Sequence, residues 1–135
     1  VGRYAVRGIQ DPQKLRGVLG DQALHPAVRG EAAAQLGKVG GDPQVLRRAL
    51  NDADEPAAEV RAGAAKGLGY LRDPKSIPRL VEALEDPDQE VRIWAITALH
   101  RMIARRFPFD ASKPPETQQA EIRRIRDYLR SAGVL

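Results

Sequence analysis

The chain has 135 residues, of which 42% are hydrophobic, and it contains no cysteine. This length suits a single domain with its own core, and the lack of cysteine excludes disulfides, thiolate chemistry and cysteine-ligated zinc. No run of about 18 apolar residues occurs, so the sequence predicts a soluble protein without a membrane span, either cytoplasmic or exported.

The formal net charge of +4 is unevenly distributed along the chain. Residues 1–90 carry 13 Lys and Arg against 14 Asp and Glu, whereas residues 91–135 carry 9 against 4. A basic end could meet an acidic partner, a phosphate backbone or an anionic membrane surface. The simpler interpretation is a solvated, arginine-rich helix at the end of the chain.

Two sequence markers recur with the same period. Asp-Pro pairs stand at residues 11–12, 42–43 and 73–74, and Val-Arg pairs at 28–29, 60–61 and 91–92, so the spacings are 31 or 32 residues. Asp is a strong helix N-cap, and Pro fits the first helical position, where no backbone donor is needed. The residue before a proline is pushed out of the α region, so each Asp-Pro pair also ends the preceding helix. The period therefore predicts a repeat of paired helices.

The predicted helices follow in chain order. Residues 1–21 form a partial repeat that begins inside a first helix, so we expect either a piece of a longer solenoid or a chain whose start was processed or is not defined. The full repeats span about 22–52 and 53–86, and a terminal repeat with its cap spans 87–135. First helices are expected at 26–39, 57–71 and 87–106, second helices at 12–19, 43–50 and 74–84, and a capping helix after Pro115 with Ile122, Ile125 and Leu129 facing inward.

Each first helix has one apolar face, as in Val60, Ala64, Leu68 and Leu71. Two of the second helices are only about eight residues long, and isolated helices that short are marginal in water. The repeats must therefore stabilise one another. We predict a single all-α domain, an α-solenoid of stacked antiparallel helix pairs that ends in a C-terminal capping helix.

Two features predict how neighbouring repeats meet. Gly63, Gly67 and Gly69 each cost roughly 0.5–1 kcal/mol relative to Ala within a helix, which indicates a close backbone approach that compensates. Arginines recur at equivalent places, and aspartates recur at the corners that precede them, so an internal Asp–Arg ladder is expected. Its members are Asp21, Asp52 and Asp86 with Arg29, Arg61 and Arg92.

The segment "EVRAGAAKGLGYLRDPKSIPRLVEALEDPDQEVR" resembles a HEAT repeat of the short bacterial type found in phycobilisome-lyase HEAT-like proteins. It shares the V-R-x-x-A first helix, the L-G-x-L-x-D-P corner and the I-P-x-L-x-x-A-L second helix, and the resemblance covers about residues 5–106. The ending "RFPFDASKPPETQQAEIRRIRDYL" is similar to that of many bacterial HEAT-repeat proteins. The resemblance implies a protein-interaction or scaffold module.

The residues show no pattern typical of catalysis. His25 and His100 lie about two repeats apart, no glycine-rich phosphate loop occurs, and "NDADEPAAE" lacks the ligand spacing of a calcium loop. We therefore predict no enzyme, no metal site and no cofactor. Trp94 replaces Glu31 and Gly63 of the other repeats, and we expect the connector with Phe107 and Phe109 to cover it.

The predicted binding surface lies on the second helices, which we expect to line the concave face. Its residues are Arg16, Arg47, Arg48, Lys75 and Arg79, a basic set without aromatic side chains. Guanidinium groups pair carboxylates bidentately, so the expected partner is another protein with an acidic segment. The predicted function is a non-catalytic interaction or scaffold module that could form an accessory subunit of a larger assembly.

Two alternatives remain open at this stage. A bilin lyase or chaperone is implied by the resemblance alone, since no aromatic or histidine pocket for a tetrapyrrole is evident. Nucleic-acid binding is permitted by the basic C-terminal third, but no aromatic lies on a second helix of a repeat to stack a base.

Overall fold

A computed structural model describes residues 2–51 and 54–135, and these residues form helices and no strand. The helices are α1 (Arg3–Arg7), α2 (Pro12–Gly20), α3 (Pro26–Lys38), α4 (Pro43–Ala49), α5 (Ala58–Leu71), α6 (Ile77–Ala83), α7 (Gln89–Met102) and α8 (Gln119–Ser131). Short 3₁₀ turns at Pro74–Ser76 and Pro115–Thr117 precede α6 and α8. The predicted all-α solenoid is confirmed.

The first helices of the repeats are α1, α3, α5 and α7, and they pack directly on one another in sequence order. The second helices α2, α4 and α6 each pack mainly against the first helix that follows them in the chain. The core is one continuous apolar layer between these two sets, with Leu15, Leu36, Leu46, Leu68 and Leu99 fully buried. The repeats therefore share a single core, as in other solenoids.

The Asp-Pro corners cap helices in two of the three repeats. The Asp11 carboxylate accepts the backbone N–H of Gln13, and Asp42 accepts that of Gln44, both at 2.9 Å. In the third repeat the Asp73 carboxylate instead accepts from the Ser76 hydroxyl at 2.6 Å and from Arg47. The helix predicted over 74–84 accordingly starts as a 3₁₀ turn, because its capping side chain is engaged elsewhere.

Glycines bring α3 and α5 into backbone contact. A Cβ added at Gly37 would lie 2.1 Å from the carbonyl oxygen of Gly67, and one added at Gly63 would lie 2.1 Å from that of Gly30. Real Cβ atoms do not come this close to a carbonyl oxygen, so each position requires glycine. The predicted close approach between repeats is confirmed.

Buried arginines connect each repeat to the next corner. The Arg61 guanidinium donates to both carboxylate oxygens of Asp86 at 2.9 and 3.1 Å, and both side chains are only 5% exposed. Arg29 is equally buried and pairs with Glu55 at 2.5 Å. Arg92 donates to the carbonyl of Ala111 at 3.1 Å.

The arginine ladder therefore exists, but its predicted register is wrong at Arg29. Among the described residues, Arg29 and Arg61 pair with a carboxylate of the following corner, and at the first of these corners the carboxylate is Glu55. Asp21 instead accepts the backbone N–H of Ala23. Asp52 lies outside the described residues.

The C-terminal cap forms as predicted, although α7 is shorter than expected. Helix α7 ends at Met102, and Ile103 is extended with φ −114° and ψ 137°. The connector then turns Phe107 and Phe109 into the core, and α8 buries Ile122, Ile125 and Leu129 completely. His100 holds the connector, because its Nε2 accepts the backbone N–H of Phe107 at 3.1 Å and its ring stacks on the Phe107 ring.

Replacing Gly37 with Ala should destabilise the protein. The new methyl group would collide with the backbone of α5, and overpacking of this kind costs about 1–3 kcal/mol. Gly17→Ala is the matched control, since a Cβ at Gly17 meets nothing within 4 Å. It should raise the free energy of unfolding by roughly 0.5–1 kcal/mol through helix propensity. Urea denaturation followed by circular dichroism measures both, and equal stability of Gly37→Ala and wild type would contradict the backbone contact.

The His100 contact should make stability depend on pH. Burial, and then the positive charge of Arg106, lower the pKa of His100 below its usual 6.5. The unfolded chain therefore binds the proton first, so the contribution of His100 is present above pH 6.5 and lost as pH falls through the lowered pKa. In the variant His100→Phe the aromatic ring can still stack on Phe107, but the side chain has no titratable group.

The measurement is the difference in free energy of unfolding between wild type and His100→Phe at several pH values. We expect wild type to lose stability relative to the variant between pH 7.5 and 5.5. A difference that stays constant over this range would show that His100 titrates alike in both states.

Candidate functional site

Four of the five predicted binding residues are exposed, three of them on second helices and Lys75 on the 3₁₀ turn that precedes α6. We call Arg16, Arg48, Lys75 and Arg79 the second-helix surface. Within the part of the chain that the structure describes, Arg16, Arg48 and Lys75 make no ion pair. These three cations are available to a partner.

Arg47 differs from the other four predicted residues. Its guanidinium pairs with the Asp73 carboxylate and its side chain is only 20% exposed. Arg79 then donates to the Arg47 carbonyl at 2.9 Å. Arg47 therefore positions the corner that precedes α6, and its charge is already compensated. The second-helix surface is also not purely basic, since Glu82 and Glu85 share a cavity of about 350 Å³ with Arg79.

A second candidate surface crosses the first helices. A groove of about 490 Å³ runs over α3, α5 and α7, and we call it the first-helix groove. Its floor consists of small residues, Gly30, Ala34, Ala62 and Gly63, and Trp94 of α7 lines it. Small residues at these positions of α3 and α5 keep the floor of the groove free of large side chains.

Trp94 is not covered as the sequence suggested. Its side chain is half-buried and lines the first-helix groove, and the Lys66 ammonium lies 4.7 Å from its ring centroid. Phe107 of the connector packs elsewhere, because it stacks on His100 and meets Tyr128 edge-on at 5.5 Å. Gly63, the equivalent of Trp94 in the preceding repeat, lines the same groove as the indole.

Carboxylates surround the first-helix groove at the helix starts. Glu59, Asp88 and Glu90 line it, together with Glu31, which pairs with Arg7 at 3.1 Å. The Asp88 carboxylate caps α7 by accepting the backbone N–H groups of Glu90 and Val91. Glu59 and Glu90 are exposed and have no ion pair among the described residues.

The other end of the same helices is basic. A neighbouring cavity of about 280 Å³ is lined by Lys38, Lys66 and Tyr70, among others. The Tyr70 ring lies 5.7 Å from the Lys38 ammonium and 5.0 Å from the Arg101 guanidinium. The outer face of the first helices therefore carries acidic groups near the helix starts and basic groups near the helix ends.

The sequence signal for this groove was present but weak. Trp94, Gly63 and Glu31 align in the repeat, so an aromatic at a position that is otherwise small or charged marks this face. Within the described residues, no group of three or more His, Asp or Glu side chains is arranged to hold a metal ion. None of the described helices is long and apolar enough to cross a membrane.

Comparison with known proteins identifies the repeats. Residues 53–108 match the family model of HEAT repeats. The chain is also 37% identical over 75 residues to "Deoxyhypusine hydroxylase" from Arabidopsis thaliana. This match covers 52% of the chain and 23% of the relative, so it spans about a quarter of the relative's length. No solved structure gives a significant match.

The match corrects one prediction from the sequence. We predicted that the chain is not an enzyme because no catalytic constellation was recognised in it. Its relative is named as an enzyme, and this overturns that prediction. The narrower resemblance to phycobilisome-lyase proteins stays a prediction. The matched segment runs from the corner before α5 through α7 and covers less than half of the chain, so these residues resemble HEAT repeats, in agreement with the stacked helix pairs.

Proposed function

We propose that the chain is a protein-interaction module that holds an acidic segment of a partner protein on its second-helix surface, as a scaffold within a larger assembly. The observation that carries this proposal is the exposure of Arg16 and Arg48 on successive second helices, and of Lys75 directly before the next one, without an ion pair among the described residues. The match of residues 53–108 to HEAT repeats, a protein-interaction architecture, supports it.

The chemistry of this surface favours a protein over a nucleic acid. Helices α2, α4 and α6 contain no aromatic residue on which a base could stack. Glu82 also lies beside Arg79, and it would repel a phosphate backbone. Single carboxylates spaced along a peptide can meet the cations of successive repeats one at a time. Arg47 contributes by fixing the corner, since its charge is paired with Asp73.

A selection from an unbiased library of displayed peptides tests the proposal. Peptides retained by the wild-type protein should be enriched in Asp and Glu. The triple variant Arg48→Glu, Lys75→Glu, Arg79→Glu should bind the selected peptides about tenfold or more weakly, because three attractive contacts become repulsive. Fluorescence anisotropy of a dye-labelled peptide measures the affinity.

The matched control reverses three cations outside the second-helix surface. Lys113, Arg123 and Arg130 are exposed, and their replacement by Glu changes the net charge by the same amount. This control should retain the affinity within about twofold or threefold. Equal losses of affinity in both triple variants would show that net charge alone accounts for the effect. Selected peptides without enrichment in Asp and Glu would contradict the proposal.

The comparison supports a second candidate, a catalytic role of the type that the relative's name states. Its test is incubation of the chain with a protein that contains deoxyhypusine, followed by mass spectrometry of that residue. Addition of one oxygen atom is the result that this candidate requires. An unchanged mass, with a positive control that is turned over, would eliminate it for the chain alone.

A further inference from the structure

We infer that the first-helix groove is a second interaction surface, which binds a basic segment of a partner protein with an apolar side chain against Trp94. The inference rests on the proposed function in one respect, that the chain binds proteins. It concerns a different face and the opposite charge.

The shape of the groove suits a peptide. Its floor of Gly30, Ala34, Ala62 and Gly63 presents backbone and methyl groups, so a chain can approach closely without displacing side chains. Its volume of about 490 Å³ lies within the range of binding pockets, and several side chains of an extended peptide could enter it. Trp94 offers a large apolar surface beside this floor, and such residues commonly anchor interfaces.

The charge of the groove selects the partner. Among the residues whose side chains the structure describes, four carboxylates line it against two cations, Arg7 and Lys66. Arg7 is paired with Glu31, and Lys66 lies over the Trp94 ring. Glu59 and Glu90 remain exposed at the starts of adjacent first helices, without an ion pair among the described residues. A Lys or Arg of the partner would be attracted there, whereas an acidic segment would be repelled.

The Trp94 indole already contacts a cation within the protein. The Lys66 ammonium lies 4.7 Å from the ring centroid of Trp94, within the range of cation–π attraction. An apolar side chain of the partner could pack on the same ring, next to the small residues of α5. The groove therefore combines an apolar anchor with acidic groups, which fits a segment that carries both basic and apolar residues.

Trp94 provides a direct readout, because it is the only tryptophan of the chain. The probes are two tryptophan-free peptides of equal length, one of repeating Lys-Ala-Leu and one of repeating Glu-Ala-Leu. The lysine peptide should change the Trp94 emission in a saturable way. The glutamate peptide should leave it unchanged, even where that peptide binds to the second helices.

A double variant tests the role of the carboxylates. Glu59→Lys with Glu90→Lys should weaken binding of the lysine peptide by about tenfold or more, since two attractive contacts become repulsive. The matched control is Glu116→Lys with Asp127→Lys, two exposed carboxylates outside the groove. It changes the net charge equally and should cost about threefold or less. Circular dichroism confirms that each variant is folded, and the corresponding amide, Gln or Asn, replaces Lys in any that is not.

Three results would overturn the inference. These are an unchanged Trp94 emission, an equal loss of affinity in the two double variants, or an equal response to both peptides.

Failure of the proposed function has a different signature. If the variant with reversed Arg48, Lys75 and Arg79 still binds its acidic peptides while the lysine peptide quenches Trp94, the second-helix assignment fails and the groove stands. If the acidic peptides depend on those residues and the lysine peptide is inert, only the groove fails.

Discussion

The stack depends on buried arginines that connect successive corners. Arg61 shows the arrangement most completely: it donates to the carbonyls of Glu55 and Pro56 at the corner before α5 and to the Asp86 carboxylate at the corner after α6. A guanidinium buried to this extent is strongly destabilising unless all of its N–H donors are hydrogen-bonded. Because the Arg61 side chain bonds to both corners, it fixes their positions relative to each other.

The binding surfaces follow from the same packing. Where α3 and α5 meet backbone to backbone at Gly30 and Gly63, the surface between the two helices carries small residues. The space becomes a groove where the next repeat places Trp94 beside it. On the second helices, Leu15 and Leu46 are fully buried and the polar side chains point outward. A short helix with one buried row therefore presents most of its residues to partners.

Much of the fold could be predicted from the sequence, because its determinants are local. The Asp11 and Asp42 caps, and the apolar face that runs through Leu68, need only their own helix to be recognised. Arg29 pairs with Glu55 and not with Asp21, which is nearer in the sequence. This pairing could not be predicted, since it depends on the three-dimensional separation of two corners. The groove was missed for the same reason. The repeat alignment marks Trp94 as unusual, but only the stacking distance between helices shows that the indole stands beside an open floor.

The charge pattern of the first helices has a local cause and a consequence at longer range. Carboxylates such as Glu59 and Glu90 stabilise helix starts, and cations such as Lys38 and Arg101 stabilise helix ends, by interaction with the helix dipole. In a single helix this pattern has no further effect. When parallel first helices stack in register, the like charges align into an acidic band and a basic band across the repeats. A partner segment that crosses the helices meets one sign of charge, whereas one that follows a helix meets both. Because of this stacking, the charges that stabilise each helix also favour one orientation of a segment bound to the outer face.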